Sequence, residues 1–363
     1  MARKGSGTWF THVRGAIIVF PWVVWLLLID ISVSALLLIK SLFPNFTYDL
    51  SSALAWTVWR WIQWIFEDVN GARVTISGDP LPANGESAVI VANHVSWNDF
   101  YMVQAVAVRA GMLGRCRYFA KIQLRAVPFL GWGLWALGMP MVTRNWLRDR
   151  DELNRVFEGI VNRRWPTWLV SFSEATRFTP KKYEESKQWC ATNGKPQPQH
   201  LLYPRTKGFI ATVQHLRHAS HVKAVYDLAI AYQKDGSWMV APVFWDTLSV
   251  PGLSAPGPHG FRFHVHVRRF PIEELPRSDA DLARWLEQRW LDKGEWLEGL
   301  RKRWAEEEKD EESRAMDGAK VKNQVIESGV RGFFYPALSR RSPTAYKSAC
   351  DSQSRPLSPK LCV

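Results

Sequence analysis

NHVSWND, residues 93–99, follows directly on an apolar run at 88–92, AVIVA. A strand ending at Ala92, a tight turn and a helix starting near Ser96 or Trp97 place His94 at the strand's carboxyl end. Asp99 then falls in the helix's first turn, where the positive end of the dipole keeps a carboxylate ionised. A folded-back turn lets that carboxylate accept a hydrogen bond from one imidazole nitrogen. The other nitrogen is left to take a proton from a substrate hydroxyl. Such a pair is a base and its orienter without a protein nucleophile. Spacing alone is weak grounds in a chain with nine histidines. A strand-end histidine followed by a helix-start aspartate is the bland alternative, so the rest of the chain has to decide.

Twenty tryptophans crowd around apolar runs, among them Trp9, Trp22, Trp25, Trp56, Trp59, Trp61 and Trp64. That setting suits a bilayer interface, where the apolar ring and polar N–H are both accommodated. Residues 16–39, AIIVFPWVVWLLLIDISVSALLLI, are long enough to cross a bilayer. Sixteen of them are Leu, Ile, Val or Phe, each contributing roughly −0.3 to −0.6 kcal/mol against about +3 for Asp30. The apolar sum wins. No small-residue cleavage site follows, so an uncleaved anchor is expected. Arg3, Lys4 and Arg14 precede the run, which favours a cytosolic amino terminus. Residues 53–66, with four Trp around Arg60 and Gln63, read as an interfacial helix; a second span is the alternative.

From Arg73 the pattern becomes soluble α/β. Strands are expected at 74–77, 88–92, 168–172, 238–243 and 261–267, and a helix over 100–108. Residues 126–142 are apolar but broken by Pro128, Gly131, Gly133, Gly138 and Pro140, so they cannot form one straight helix. They read as a tunnel lining or a membrane contact. Ser278-x-x-Asp281 opens a helix running to 304. The fold class expected is a central, mostly parallel sheet covered by helices, with an N-terminal membrane-anchor helix and an interfacial helix. The organisation expected is an anchor over 1–69, a catalytic domain over 70–304 and a disordered tail over 305–363. The apolar patch at 330–338 is too short to span.

Net charge is +13, and residues 109–150 hold eight Lys/Arg against one acid, Asp149. Such a patch suits nucleic acid, anionic lipid or a phosphorylated substrate. The four cysteines form no CxxC pair, so neither a zinc site nor a disulfide framework is indicated, and a reducing, cytosol-facing setting fits. GxSxG, GxGxxG, P-loop and HExxH signatures are all missing from the sequence.

Three further segments follow NHVSWND. GMPMVTR at 138–144 ends on Arg144; FSEATRF at 172–178 offers Glu174, Thr176 and Arg177; YPRTKGF at 203–209 supplies Arg205 and Lys207. Singly, each cation is best read as a surface charge. Together with a His–Asp pair and an anchor, they suit an anionic lipid bearing a free hydroxyl.

On these blocks the chain resembles the glycerophospholipid acyltransferases, specifically the eukaryotic lysophosphatidic acid and lysophospholipid branch. The family's NHx4D block is matched by Asn93, His94 and Asp99, its Gly-x5-Arg by Gly138 and Arg144. Its F-[PC]-E-G-T-R block is matched at Phe172, Glu174, Thr176 and Arg177, with departures at Ser173 and Ala175. Alanine in place of glycine implies either a backbone without positive φ there or a reshaped acceptor site. Further similarity lies at 121–133, 203–209, 267–271 and around 283–286.

The resemblance implies that His94 deprotonates a lysophospholipid hydroxyl, that Asp99 fixes its tautomer, and that the alkoxide attacks an acyl-CoA thioester. Donors near the turn are then expected to stabilise the oxyanion. Asn93, Arg144, Glu174, Thr176, Arg177 and Lys207 are implied as the substrate site, with Glu174 orienting Arg177 or the glycerol. No metal or prosthetic group is expected; acyl-CoA is a co-substrate. The partners expected are lysophospholipid, acyl-CoA and membrane lipid, not nucleic acid. The location expected is the endoplasmic reticulum membrane, with the catalytic domain facing the cytosol. The acceptor headgroup stays open between lysophosphatidic acid and lipids such as lysophosphatidylinositol. Two rivals remain: a membrane-tethered lipid hydrolase using Ser96 and His94, and a non-enzymatic basic membrane-recruitment protein.

Overall fold

The structure is a computed structural model that describes residues 9–330, apart from 83, 128–129, 144–145 and 256–259. In chain order the helices are α1 (Trp9–Leu36), α2 (Pro44–Trp64), α3 (Asp99–Arg109), α4 (Leu130–Ala136) and α5 (Trp146–Arg163). They continue with α6 (Pro180–Thr192), α7 (Thr206–Leu216), α8 (Phe244–Ser249) and α9 (Asp279–Val330). The strands are β1 (Val74–Gly78), β2 (Ser87–Ala92), β3 (Cys116–Tyr118), β4 (Ala120–Lys121) and β5 (Met141–Val142). The rest are β6 (Trp168–Phe172), β7 (Val222–Lys234), β8 (Ser237–Trp238) and β9 (Phe261–Pro271).

The main sheet runs β1-β9-β7-β2-β6-β3, with β8 on β7, and β4 pairs β5 apart from it. The run β7-β2-β6-β3 is parallel; β9 is antiparallel to β7 and parallel to β1. Every residue of β2 is buried, as a central strand covered on both faces demands. Ala88 and Ile90 face a core built with Ile62, Phe66 and Met102 of α2, the π-turn after it and α3. Val89 and Val91 face the other core, with Phe157, Val213, Leu286 and Trp290 of α5, α7 and α9. Parallel pairing of β2 with β6 sets Ala92 beside Phe172. The two motif-bearing turns therefore leave the sheet at one edge.

Four expectations change. First, β7, thirteen residues at the centre of the sheet, was not among the expected strands. Its Asp227 is buried and ion-paired at 2.5 Å with buried Lys293 of α9, so a polar interruption in the sequence is an interior pair in the fold. Second, the strand expected at 238–243 shrinks to Ser237–Trp238, closed by an Asp235-Gly236 turn, and α8 soon follows. Third, α9 continues through residues 305–330, where a disordered tail is expected. Glu, Lys, Arg and Ala there are strong helix formers. The rest of that tail, 331–363, lies outside the described residues. The described chain divides into two units between Lys309 and Asp310.

Fourth, the N-terminal helices are not a separate domain. α1 and α2 form an antiparallel hairpin in which the Trp22 indole donates to Val58 O and the Trp25 indole to Thr57 Oγ1. Ile62, Ile65 and Phe66 then join the sheet's core. α1 is long and apolar enough to cross a membrane, yet it rests on the domain near both ends. Arg14 donates to Ser249 O and Asn70 Oδ1, both at 2.8 Å. A Cβ at Gly15 would lie 2.6 Å from Ser249 Cβ, and one at Gly133 only 1.9 Å from Asp30 Oδ1. Fifteen residues of helix between those contacts cover about 22 Å, so α1 lies along the domain instead of leaving it as a free-standing span. Phe10, Ile17, Phe20, Val24, Leu28 and Ile31 fall at helical spacing and form an exposed outward stripe.

Candidate active site

The turn between β2 and α3 carries the site, and α3 begins at Asp99 itself. His94 Nδ1 and Asp99 Oδ2 are 2.7 Å apart. Asp99 is fully buried. Its carboxylate accepts from the Val95 amide at 2.7 Å, the Ser96 amide at 3.0 Å and the Tyr232 hydroxyl at 2.8 Å. Four donors converge on this one buried carboxylate, and its bond to Nδ1 fixes the imidazole with its proton on that nitrogen. Nε2 makes no hydrogen bond among the described residues, and the His94 side chain is 22% exposed. The ring stacks on Phe172 at 4.3 Å between centroids, and His94 O accepts from the Phe178 amide. Thus β6 and its turn fix the plane of the imidazole.

Tyr232 has no local signature because it lies on β7, a strand outside the expected set, 133 residues from Asp99. Burial, with the Asp99 charge beside it, pushes the Tyr232 phenol well above its usual value, so it stays a donor.

Asn93, expected at the substrate site, ties the turn to the sheet. It is buried, its Nδ2 donates to Ile230 O and its Oδ1 accepts from Ile230 N. Both ends of the amide are engaged in clamping the turn to β7, which gives Asn93 a positioning role. The Val95 and Ser96 amides are committed to Asp99, so they are not free to face an oxyanion. Ser96 Oγ accepts from the Asn98 amide and makes no hydrogen bond to His94 among the described residues, which disfavours it as a nucleophile.

The second turn, 173–178, holds Ala175 at φ +57°. The family's glycine position therefore keeps the left-handed conformation here, at a cost of about 1–2 kcal/mol for an L-residue. Ala175→Gly is expected to raise the melting temperature by about 2–4 °C, read by thermal unfolding in detergent. An unchanged or lower value would show that the strain is offset locally.

Glu174 and Arg177 point apart across this turn. Glu174 is buried, and neither carboxyl oxygen has a hydrogen-bond partner among the described residues. The expected pairing of Glu174 with Arg177 is not found. Burial pushes the Glu174 carboxyl up to about 8, with Asp99 adding to the rise and Lys293, the Trp290 indole and the His94 amide opposing it. Because the folded state holds this proton more tightly than the unfolded chain, the contribution is complete below the ordinary value of 4.5 and lost as pH rises through 8. Glu174→Gln is expected to gain melting temperature over the parent progressively across that window. Parallel melting curves with pH would refute this.

Arg177 is exposed, its guanidinium 5.0 Å over the Trp97 ring. Thr176 Oγ1 accepts from Lys182 Nζ at 2.5 Å, a cation the sequence reading passed over although it sits one turn into α6. Lys207 is exposed in the first turn of α7. That helix is tied to the site because the Arg205 amide donates to Ser173 O at 2.7 Å. Arg144 lies outside the described residues. The arrangement is a buried-acid, half-exposed-histidine pair flanked by cations from two neighbouring turns. It can move a proton at Nε2 beside an anionic group.

A sheet with a His–Asp turn at its carboxyl edge defines a class, and comparison with known families gives the class its place. Residues 73–233 match the family described as Acyltransferase, and residues 257–311 match Acyltransferase C-terminus. The chain belongs to this acyltransferase family. It is 28% identical over 272 residues to a Brassica oleracea 1-acyl-sn-glycerol-3-phosphate acyltransferase 2, covering 72% of this chain and 64% of that protein. It is 30% identical over 264 residues to the human 1-acyl-sn-glycerol-3-phosphate acyltransferase delta, covering 71% and 65%. The chain thus spans slightly under two thirds of each relative's length. The crystal structure of the PlsC acyltransferase from Thermotoga maritima aligns with a TM-score of 0.45 at 15% identity, covering 79% of this chain and 98% of that one.

Proposed function

We propose that this chain transfers a fatty acyl group from acyl-CoA to the free hydroxyl of a lysophospholipid, with 1-acyl-sn-glycerol 3-phosphate as the acceptor. The observation that carries the reading is the Asp99-held imidazole, whose Nε2 meets no serine or cysteine among the described residues. Nε2 takes the hydroxyl proton as the oxygen attacks the thioester carbonyl. The tetrahedral intermediate collapses, the C–S bond breaks, and the imidazolium returns the proton to the departing thiolate of CoA. The products are the ester and free CoA, and Asp99 stabilises the imidazolium between the two steps. The acceptor headgroup is suggested by the names of the relatives and fits the cations Arg177, Lys182 and Lys207.

The outward stripe of α1 supports membrane attachment. A helix resting on one domain near both ends fits embedding in the plane of a single leaflet. The endoplasmic reticulum, with the site facing the cytosol, is the location proposed.

Membranes containing the chain, given a panel of lysophospholipids and labelled acyl-CoA, are expected to form labelled phospholipid with lysophosphatidic acid above all. Labelled fatty acid released without any acceptor would instead point to a hydrolase. For Arg177→Ala, the apparent KM for the lysophospholipid is expected to rise about ten- to a hundredfold, the loss of one charge-assisted hydrogen bond. A two-substrate kinetic matrix checks this. A penalty on acyl-CoA alone would move Arg177 to the donor site.

A further inference from the structure

A cavity of about 420 Å³ lies between the α1–α2 hairpin, α5 and the start of β6. Thr167, on its wall, precedes β6, whereas His94 stacks on Phe172 at the strand's far end. Five residues of strand separate these points, about 16 Å. The cavity is therefore not part of the His94 site.

Its charge is lopsided. Lys40, Arg117, Arg155 and Arg163 line it, against one carboxylate, the solvent-exposed Glu158. Arg155 is held by Glu152 at 2.7 Å, but no carboxylate ion-pairs with Lys40, Arg117 or Arg163 among the described residues. Arg117 is only 2% exposed. Its Nη atoms donate to Gly114 O, Cys116 O and Ser52 Oγ, all neutral, its guanidinium lies 5.0 Å over the Tyr48 ring, and its Nε has no hydrogen-bond partner among the described residues. A buried guanidinium without a counter-anion is costly unless something supplies one. Burial, together with the Arg155, Arg117 and Arg163 charges, also holds the Lys40 ammonium below its usual value.

Val33, Leu37 and Leu137 give the cavity an apolar wall as well. Lys40 sits in the connection between α1 and α2, whose Leu38, Leu42 and Phe43 are exposed. Cations beside an exposed apolar turn and an apolar wall match a molecule with an anionic head and a hydrocarbon tail. An inorganic anion would leave that wall wet.

We propose that this cavity binds an anionic phospholipid at a site separate from the acceptor, its phosphate held by Lys40, Arg117 and Arg163 and its acyl chain along Val33, Leu37 and Leu137. The basic run at 109–150, which the reaction does not use at Arg117, acquires a role in this way.

The test uses the purified full chain and native mass spectrometry after extraction from vesicles of phosphatidylcholine and phosphatidylglycerol in equal parts. One phosphatidylglycerol per chain is expected to remain bound. The paired change Lys40→Gln with Arg163→Gln is expected to weaken retention about tenfold or more. Lys302→Gln with Arg284→Gln, which removes the same charge elsewhere, is expected to leave retention unchanged. His94→Ala should also retain the lipid, so this outcome does not depend on the proposed reaction. Equal losses in both charge pairs would reduce the effect to bulk electrostatics and overturn the proposal. Displacement by inorganic phosphate would show a simple anion site, and retention of lysophosphatidic acid alone would make the cavity part of the acceptor path; either result overturns it.

Discussion

His94→Ala is expected to lower acyl transfer by a factor on the order of 10²–10⁴ or more, the usual contribution of a positioned general base. The ring's Nδ1 is engaged by Asp99 at 2.7 Å and its plane is set against Phe172, leaving Nε2 as the group that can act on a hydroxyl. The side chain is partly exposed, so its removal uncovers one face of Phe172 but empties no large core volume. Thermal unfolding of the variant should therefore stay close to the parent while turnover collapses. Single-turnover transfer to the lysophospholipid, measured on purified protein, separates the two effects. Activity near the parent level in a folded His94→Ala variant would sink the mechanism.

Asp99→Asn is expected to cost a comparable factor, on the order of 10²–10⁴ in rate, through a different route. The carboxylate now accepts from the Val95 and Ser96 amides, the Tyr232 hydroxyl and His94 Nδ1. An amide has one acceptor oxygen and one donor nitrogen, so at least one of those four donors would meet an N–H. Either the imidazole turns its lone pair to Asp99's replacement, which protonates Nε2 and removes the base, or the turn loses its ties. The first outcome gives a stable, inactive protein; the second lowers the melting temperature as well. A variant of parental activity would show that the tautomer is set by something other than Asp99.

Much of the site was legible because it is local. His94 and Asp99 are five residues apart, and one folded turn is enough to join them. Strand β2 was legible from its unbroken apolar run, and β6 from the same signal. Their parallel pairing follows from the α/β alternation, which is why the blocks at 93–99 and 172–178 could be expected to meet. The third contributor to the turn was hidden. Asn93 looks polar and available in the sequence, but only the arrival of Ile230 beside it shows that both ends of its amide are occupied.

The sequence by itself determined the apolar helix, the His–Asp turn, the central strands and the family blocks, since each depends on periodicity or spacing within a few residues. Tertiary structure alone decided that α1 lies along the domain, because hydropathy measures how apolar a helix is and not what its two ends rest on. It alone placed β7 at the centre, where buried Asp227 is tolerated because Lys293, from a helix 66 positions further on, arrives to pair with it. It alone turned Glu174 inward and Arg177 outward, since the left-handed backbone at Ala175 sends neighbours in one motif to opposite sides. Contacts between distant residues carry no local signature, so burial and partnership at these positions were decided only when the sheet closed.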